Sequence, residues 1–189
     1  MPALTLRMKK RADASVQLVL TREDGSFTAG PIGPARGYGP VHDLAHYVVE
    51  RTLALSEGFL GLVASGWEIG DFEVKGTAKR LPDEAAYAEA AAGALSREEM
   101  MRQPTSVEEF VWGVESWLRP QRPGYEPPAL DAATLEAMRA ELAELRRRWN
   151  ALAPGESLEL PFQTARRSTC ERPARVDAAP PERSHRPRR

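Results

Sequence analysis

Hydrophobic and polar residues alternate at the start of the chain. Two segments carry the alternation, with apolar residues at Leu4, Leu6, Met8, Val16, Leu18 and Leu20. A period of two places these side chains on one face of a strand, so each segment predicts a strand with one buried face. The Asp24-Gly25 pair then predicts a tight turn, and residues 26–29 predict a short third strand. The pattern therefore indicates a β-meander that needs other elements to cover one face.

The hydrophobic period changes to that of a helix at residues 40–57, which read PVHDLAHYVVERTLALSE. One side of this helix carries Val41, Leu44, Ala45, Val48, Thr52 and Leu55, and the adjacent stripe carries His42, His46, Val49 and Leu53. The apolar arc is wide, which is typical of a buried helix rather than a surface one.

Helical patterns also dominate the second half of the chain. An Ala-rich helix begins at Pro82, residues 105–109 contain a capping box, and residues 107–118 show a regular amphipathic face. Before this half, an apolar segment punctuated by glycines leads into residues 69–75, whose alternation predicts a further strand.

The last predicted helix, residues 131–152, has apolar residues at heptad spacing. They are Leu135, Met138, Leu142, Leu145, Trp149 and Leu152. A helix packed along the body of the protein explains this stripe, and so does a homodimer or another protein partner bound through the helix. We prefer the packed helix, because coiled coils usually sustain more heptads than this one.

Residues 157–162 alternate again and predict a final strand, which Pro161 places at a sheet edge. The sequence therefore predicts a single α+β domain over residues 1–162. A small antiparallel sheet, made of the N-terminal meander and this C-terminal edge strand, is covered by four to five helices. Residues 163–189 are rich in Arg and Pro and poor in apolar residues, which predicts a disordered tail.

Charge is distributed unevenly along the 189 residues, although the formal net charge is −1. Residues 163–189 contain eight Arg and three acidic residues, whereas the rest of the chain is acidic. Prolines and acidic residues interrupt the basic tail and no aromatic residue accompanies it, so we expect no nucleic-acid binding. Cys170 is the single cysteine, and no signal peptide or membrane span is evident, so we expect a cytoplasmic protein.

The candidate chemistry lies in the 40–57 helix, where His42 and His46 are four residues apart. Two imidazoles at this spacing lie on one face of a helix and can share a metal ion. The segment His42-Asp43-Leu44-Ala45-His46 resembles the zincin metalloprotease signature H-E-x-x-H, with Asp43 at the Glu position. The resemblance covers these five residues and implies zinc, or another divalent metal, as a cofactor.

A third metal ligand is not identified by the motif. Carboxylates of the following segment are candidates, namely Glu57, Glu68, Asp71 and Glu73. Glu50 is eight residues from His42, roughly 12 Å along the helix axis, which is too far for both to bind one ion. Asp43 and Glu50 are instead candidates for a catalytic base acting on a metal-bound water.

The Gly/Pro-rich segment before the helix, residues 30–40, contains Arg36 and Tyr38. Free backbone N–H groups at the start of a helix, together with Arg36, predict a site for an anionic ligand. Ordinary turn chemistry explains the same composition and is the preferred interpretation.

Three function classes therefore remain open. The leading one is a non-catalytic binding or interaction protein in which the two histidines are structural, hydrogen-bonded to nearby carboxylates. The alternatives are a divalent-metal-binding protein and a metal-dependent hydrolase, both using His42 and His46. No nucleotide-binding fingerprint and no Ser/His/Asp or Cys/His nucleophile pattern is visible in the sequence.

Overall fold

The computed structural model describes residues 3–164 and 168–173. The strands are β1 (Ala3–Lys10), β2 (Ser15–Arg22), β3 (Phe27–Pro34) and β4 (Ser157–Gln163). The helices are α1 (Tyr38–Thr52), α2 (Phe59–Ala64), α3 (Asp83–Met101), α4 (Val107–Leu118) and α5 (Ala132–Ala151). Two 3-10 turns, Ile69–Asp71 and Thr77–Lys79, connect α2 to α3. The predicted α+β class is confirmed.

The four strands form one antiparallel sheet in the order β3-β2-β1-β4. Leu6 of β1 lies opposite Leu20 on β2 and Leu160 on β4, so the apolar residues of neighbouring strands share one face. The first and last strands are adjacent, and Pro161 lies on an edge strand, as its missing N–H predicts.

The helices cover the apolar face of the sheet, and α1 is the central helix of the layer. It packs against α3 on one side and α5 on the other, and it also contacts β3, β4 and α2. Most of α1 from Pro40 to Glu50 is buried, as its wide apolar arc predicts. Polar side chains of α1 are therefore enclosed by neighbouring elements.

The segment after α2 differs from the predicted strand. Residues 69–71 form a 3-10 turn, because the Asp71 carboxylate accepts a hydrogen bond from the Glu68 N–H at 2.7 Å and closes the turn. Alternation over these few residues reflects Phe72 packing against Phe59 and Trp67 rather than strand pairing. The prediction of a strand at 69–75 is wrong.

The predicted Gly/Pro loop is also shorter than expected. β3 continues to Pro34, where Ser15 of β2 pairs with it, and α1 already begins at Tyr38. The first helix ends at Thr52, because Ala54 adopts a left-handed conformation with φ of 53°. Residues 53–57 are therefore a connection to α2 and not part of the first helix.

The heptad stripe of α5 is used inside the protein. Leu135, Met138, Leu142, Leu145 and Trp149 are all at most 3% exposed and belong to the main core. This arrangement is the packed helix that we preferred from the sequence.

Residues 168–173 lie against the loops that follow α2. Arg172 forms an ion pair with the buried Asp71 at 2.7 Å, and the Trp67 indole N–H donates to the Cys170 carbonyl at 3.1 Å. The remainder of the predicted disordered tail, residues 165–167 and 174–189, lies outside the described residues. No helix within the described ranges is long and apolar enough to cross a membrane.

Candidate metal centre

His42 and His46 project from successive turns of α1 towards α3. Their ring centroids are 4.8 Å apart and the rings are nearly perpendicular, at 89°. His46 is 4% exposed, whereas His42 is half-buried beneath the ring of Tyr38, which stacks on it at 5.2 Å. The i,i+4 spacing of the helix therefore brings the two imidazoles into contact.

Glu89 of α3 completes the group. Its Oε1 lies 3.4 Å from His42 Nε2, and its Oε2 lies 3.1 Å from His46 Nε2. The nearest ligand atoms of the three residues all lie within 4.8 Å of one another. Among the described residues, this is the group with the donor types and the spacing that a metal ion requires.

The other nitrogen of each histidine faces an oxygen. His46 Nδ1 lies 3.0 Å from Glu50 Oε1, and His42 Nδ1 lies 3.2 Å from the Tyr38 hydroxyl. Ser96 Oγ donates to the same hydroxyl at 3.0 Å, which links it to α3. Both rings are thereby oriented with Nε2 towards Glu89, the arrangement in which outer carboxylates and hydroxyls support metal-binding histidines.

The carboxylates around His46 stabilise the charged form of its imidazole. Burial lowers the pKa of His46, but hydrogen bonds to Glu50 and Glu89 outweigh burial and raise the pKa to about 10. Hydrogen bonds from His42 and His46 hold the pKa of Glu89 well below its usual range. Without a metal, His46 is thus an imidazolium between two carboxylates, and a metal ion would have to displace its proton.

Glu50 supports this site and the start of α2 together. It is fully buried, and its Oε2 accepts hydrogen bonds from the backbone N–H groups of Leu60 at 2.9 Å and Gly61 at 3.2 Å. Any side chain at Gly58 would collide with the Glu50 carboxylate, so this glycine permits the close approach. Glu50 therefore orients His46 and anchors the start of α2.

Asp43 lies between the two histidines in sequence and has a different environment. Its Oδ2 is buried and accepts no hydrogen bond from the described residues. Burial raises the pKa of Asp43 to about 6, against the opposing effect of His46 and His42. Asp43 is therefore a buried carboxyl group with a raised pKa, next in sequence to His42.

The other candidates from the sequence lie elsewhere. Glu57 accepts a hydrogen bond from Ser168 Oγ at 3.1 Å, and Asp71 pairs with Arg172. Neither belongs to the histidine group. Arg36 and Tyr38 have different surroundings: Tyr38 contacts His42, whereas Arg36 lines a separate cavity.

Glu89 was missed by the sequence analysis. It lies in the segment Ala88-Glu89-Ala90-Ala91-Ala92, far along the chain from the histidines. An isolated acidic residue among alanines of an otherwise buried helix was the available signal, but nothing local links it to His42 or His46.

Comparison with protein-family models, curated proteins and solved structures found no match.

Proposed function

We propose that this protein binds a divalent metal ion, zinc or an ion of similar ligand preference, through His42, His46 and Glu89. Two imidazoles and one carboxylate are a ligand set that zinc accepts, with a fourth position left for water or another ligand. With bonds of about 2.0–2.1 Å, neighbouring ligand atoms of a tetrahedral site are about 3.3 Å apart. The Glu89 oxygens lie 3.4 Å and 3.1 Å from the two Nε2 atoms.

The observation that carries the proposal is the orientation of both rings. Each Nε2 faces the same carboxylate, and each Nδ1 is engaged by an oxygen from a different side chain, Glu50 or Tyr38. A histidine with a purely structural role needs hydrogen-bond partners, but two such histidines need not face the same carboxylate. In metal centres, the ring nitrogen of a histidine that does not bind the ion is typically held by such an oxygen.

For a metal-dependent hydrolase, we propose Asp43 as the general base. Its buried Oδ2 supports that assignment, because it accepts no hydrogen bond within the described ranges and a general base needs a free lone pair. The Asp43→Asn variant keeps the ligands, so it should retain the metal while losing any hydrolytic activity.

A second candidate is a protein that binds a partner without a metal. Three large apolar side chains on or near α4 support it, since Trp112 is 72% exposed, Met101 61% and Trp117 47%. Exposed aromatic residues of this size are enriched at interfaces.

We also propose a cytoplasmic location, because a chain with one cysteine has no internal disulfide to gain from an oxidising compartment.

Elemental analysis of the protein, purified without an affinity tag, tests the metal proposal. We expect a single zinc-class ion per chain, lost from the His42→Ala/His46→Ala double variant and from Glu89→Gln. Glu108→Gln is the matched control, since Glu108 is an exposed carboxylate on α4. A parent protein that neither contains nor takes up zinc, manganese, cobalt or nickel would overturn the proposal and favour the partner-binding candidate.

A further inference from the structure

A cavity of about 810 Å³ lies apart from the histidine group. It is enclosed by the β1–β2 turn, the connection between β3 and α1, and the C-terminal half of α5. Small-molecule sites in proteins typically have volumes of about 300–1,000 Å³, so this cavity has the size of a ligand site.

The charge of the cavity wall is one-sided. Four of the lining residues are cationic, and none is acidic: Lys10, Arg11, Arg36 and Arg146. The protein as a whole has a formal net charge of −1, so this concentration of cations is not a property of the general surface. Such a wall produces a local positive potential that attracts anions.

Three of the four cations have partners within the protein. Arg146 pairs with Glu99 at 2.8 Å, Lys10 donates to the Leu152 carbonyl at 2.8 Å, and Arg11 donates to the Gln17 side chain.

Arg36 differs from the other three. It has no hydrogen bond or ion pair with any residue in the described ranges, and it is exposed to the cavity. Lys10 is close enough to it that burial and the Arg36 charge together lower the pKa of the lysine. Glu156 is an acidic neighbour of Lys10 and partly opposes this shift. None of the described residues that line the cavity is acidic, so positive charge remains there for a ligand to neutralise.

Apart from Asn150, the rest of the wall is mainly apolar and aromatic. Trp149 is fixed there by its indole N–H, which donates to the Ala35 carbonyl at 2.9 Å, and the Lys10 ammonium lies 4.9 Å from the centre of its ring. Val41, Met100 and Leu152 also line the cavity. A ligand that fills this space therefore needs an anionic group and an apolar body.

We propose that the cavity binds a small organic phosphate, whose phosphate group contacts Arg36 and Lys10 and whose apolar body lies beside Trp149. A phosphate monoester carries a charge of about −1.5 to −2 at neutral pH, which matches two neighbouring cations better than a single carboxylate does. The planar guanidinium of Arg36 also matches two phosphate oxygens at once. This site is independent of the proposed metal centre.

Isothermal titration calorimetry on the metal-free protein tests the proposal, with phenyl phosphate, inorganic phosphate and phenol as probes. We expect phenyl phosphate to bind most tightly, with an affinity that falls as salt rises. The Arg36→Gln variant should bind phenyl phosphate at least about tenfold more weakly, because it loses a charge-assisted bidentate contact. Arg36 has no partner to lose among the residues that the structure describes, so the variant should fold normally.

Two controls make the result decisive. Arg7→Gln removes an exposed arginine of β1 that is not part of the cavity wall, and it should leave phenyl phosphate binding unchanged. The His42→Ala/His46→Ala variant should also bind normally, and a loss there would place the phosphate at the histidine group and overturn the proposal. Absence of phenyl phosphate binding, equal binding of inorganic phosphate, or equal effects of Arg36→Gln and Arg7→Gln would overturn it as well.

Discussion

Replacing Glu50 by Gln should destabilise the protein far more than an ordinary surface substitution. The carboxylate accepts three hydrogen bonds, from His46 Nδ1 and from the N–H groups of Leu60 and Gly61. Gln has one acceptor oxygen, so when that oxygen accepts from the Leu60 and Gly61 N–H groups, its NH2 group faces His46 Nδ1. The two hydrogen bonds that remain each weaken by roughly 1 kcal/mol and the ion pair with His46 is lost, so the change should lower the free energy of unfolding by about 3 kcal/mol. Gln keeps the shape of the side chain, so no cavity adds to this loss.

Urea denaturation of the chelator-treated protein measures the effect. The midpoint should fall while the slope with urea stays constant, because the surface exposed on unfolding is unchanged. Glu159→Gln is the matched control, since Glu159 is a largely exposed residue of β4, 3.9 Å from Arg7. It should change the free energy of unfolding by less than about 0.5 kcal/mol. Equal midpoints for the two variants would refute the reasoning that Glu50 holds α1 and α2 together as a buried carboxylate.

Three further outcomes follow from the structure. Zinc at about 100 times its dissociation constant should raise the free energy of unfolding by about 2.7 kcal/mol, and Glu89→Gln should abolish this gain in urea titrations. Ser106 Oγ accepts from the Glu109 N–H, and the Glu109 carboxylate accepts from the Ser106 N–H. Ser106→Ala should therefore lower the free energy of unfolding by about 1 kcal/mol in thermal melts. An unchanged melting temperature would contradict this. Burial raises the pKa of Tyr87 and Tyr125 to about 12. Stability should therefore fall between about pH 10 and 12, since the unfolded chain releases phenolic protons that the folded chain keeps. Near-UV titration should lose its late phase in the Tyr87→Phe/Tyr125→Phe variant.

The sheet and the long helices were predictable because their signals are local. Strand β1 alternates over its whole length, so the burial of Leu4, Leu6 and Met8 follows from a period of two. The predicted helix over residues 131–152 begins at its cap, since the Asp131 carboxylate accepts from the Thr134 N–H at 2.7 Å. Elements that are marked by a short-range pattern, such as an alternating strand or a capping residue, were predicted correctly.

The candidate site was only half visible for the opposite reason. His42 and His46 share a helix, so their contact follows from the spacing, but Glu89 reaches them because α3 packs against α1. Residues 69–75 show the same limitation. Their alternation is real, but the side chain of Asp71 closes a turn with Glu68 that no periodicity reveals. A contact between distant segments decides the first case, and a local side-chain contact that leaves no periodic pattern decides the second.

Pairing of β1 with β4 has a consequence for how the chain is made. Ala3 lies opposite Gln163, so β1 acquires its second neighbour only after nearly all of the described chain has left the ribosome. Until then, one edge of β1 presents unpaired backbone groups, and the nascent protein can form intermolecular sheets through it. Pairing over such a sequence separation also slows folding. Synthesis truncated before Ser157 should therefore yield aggregates rather than a smaller folded protein.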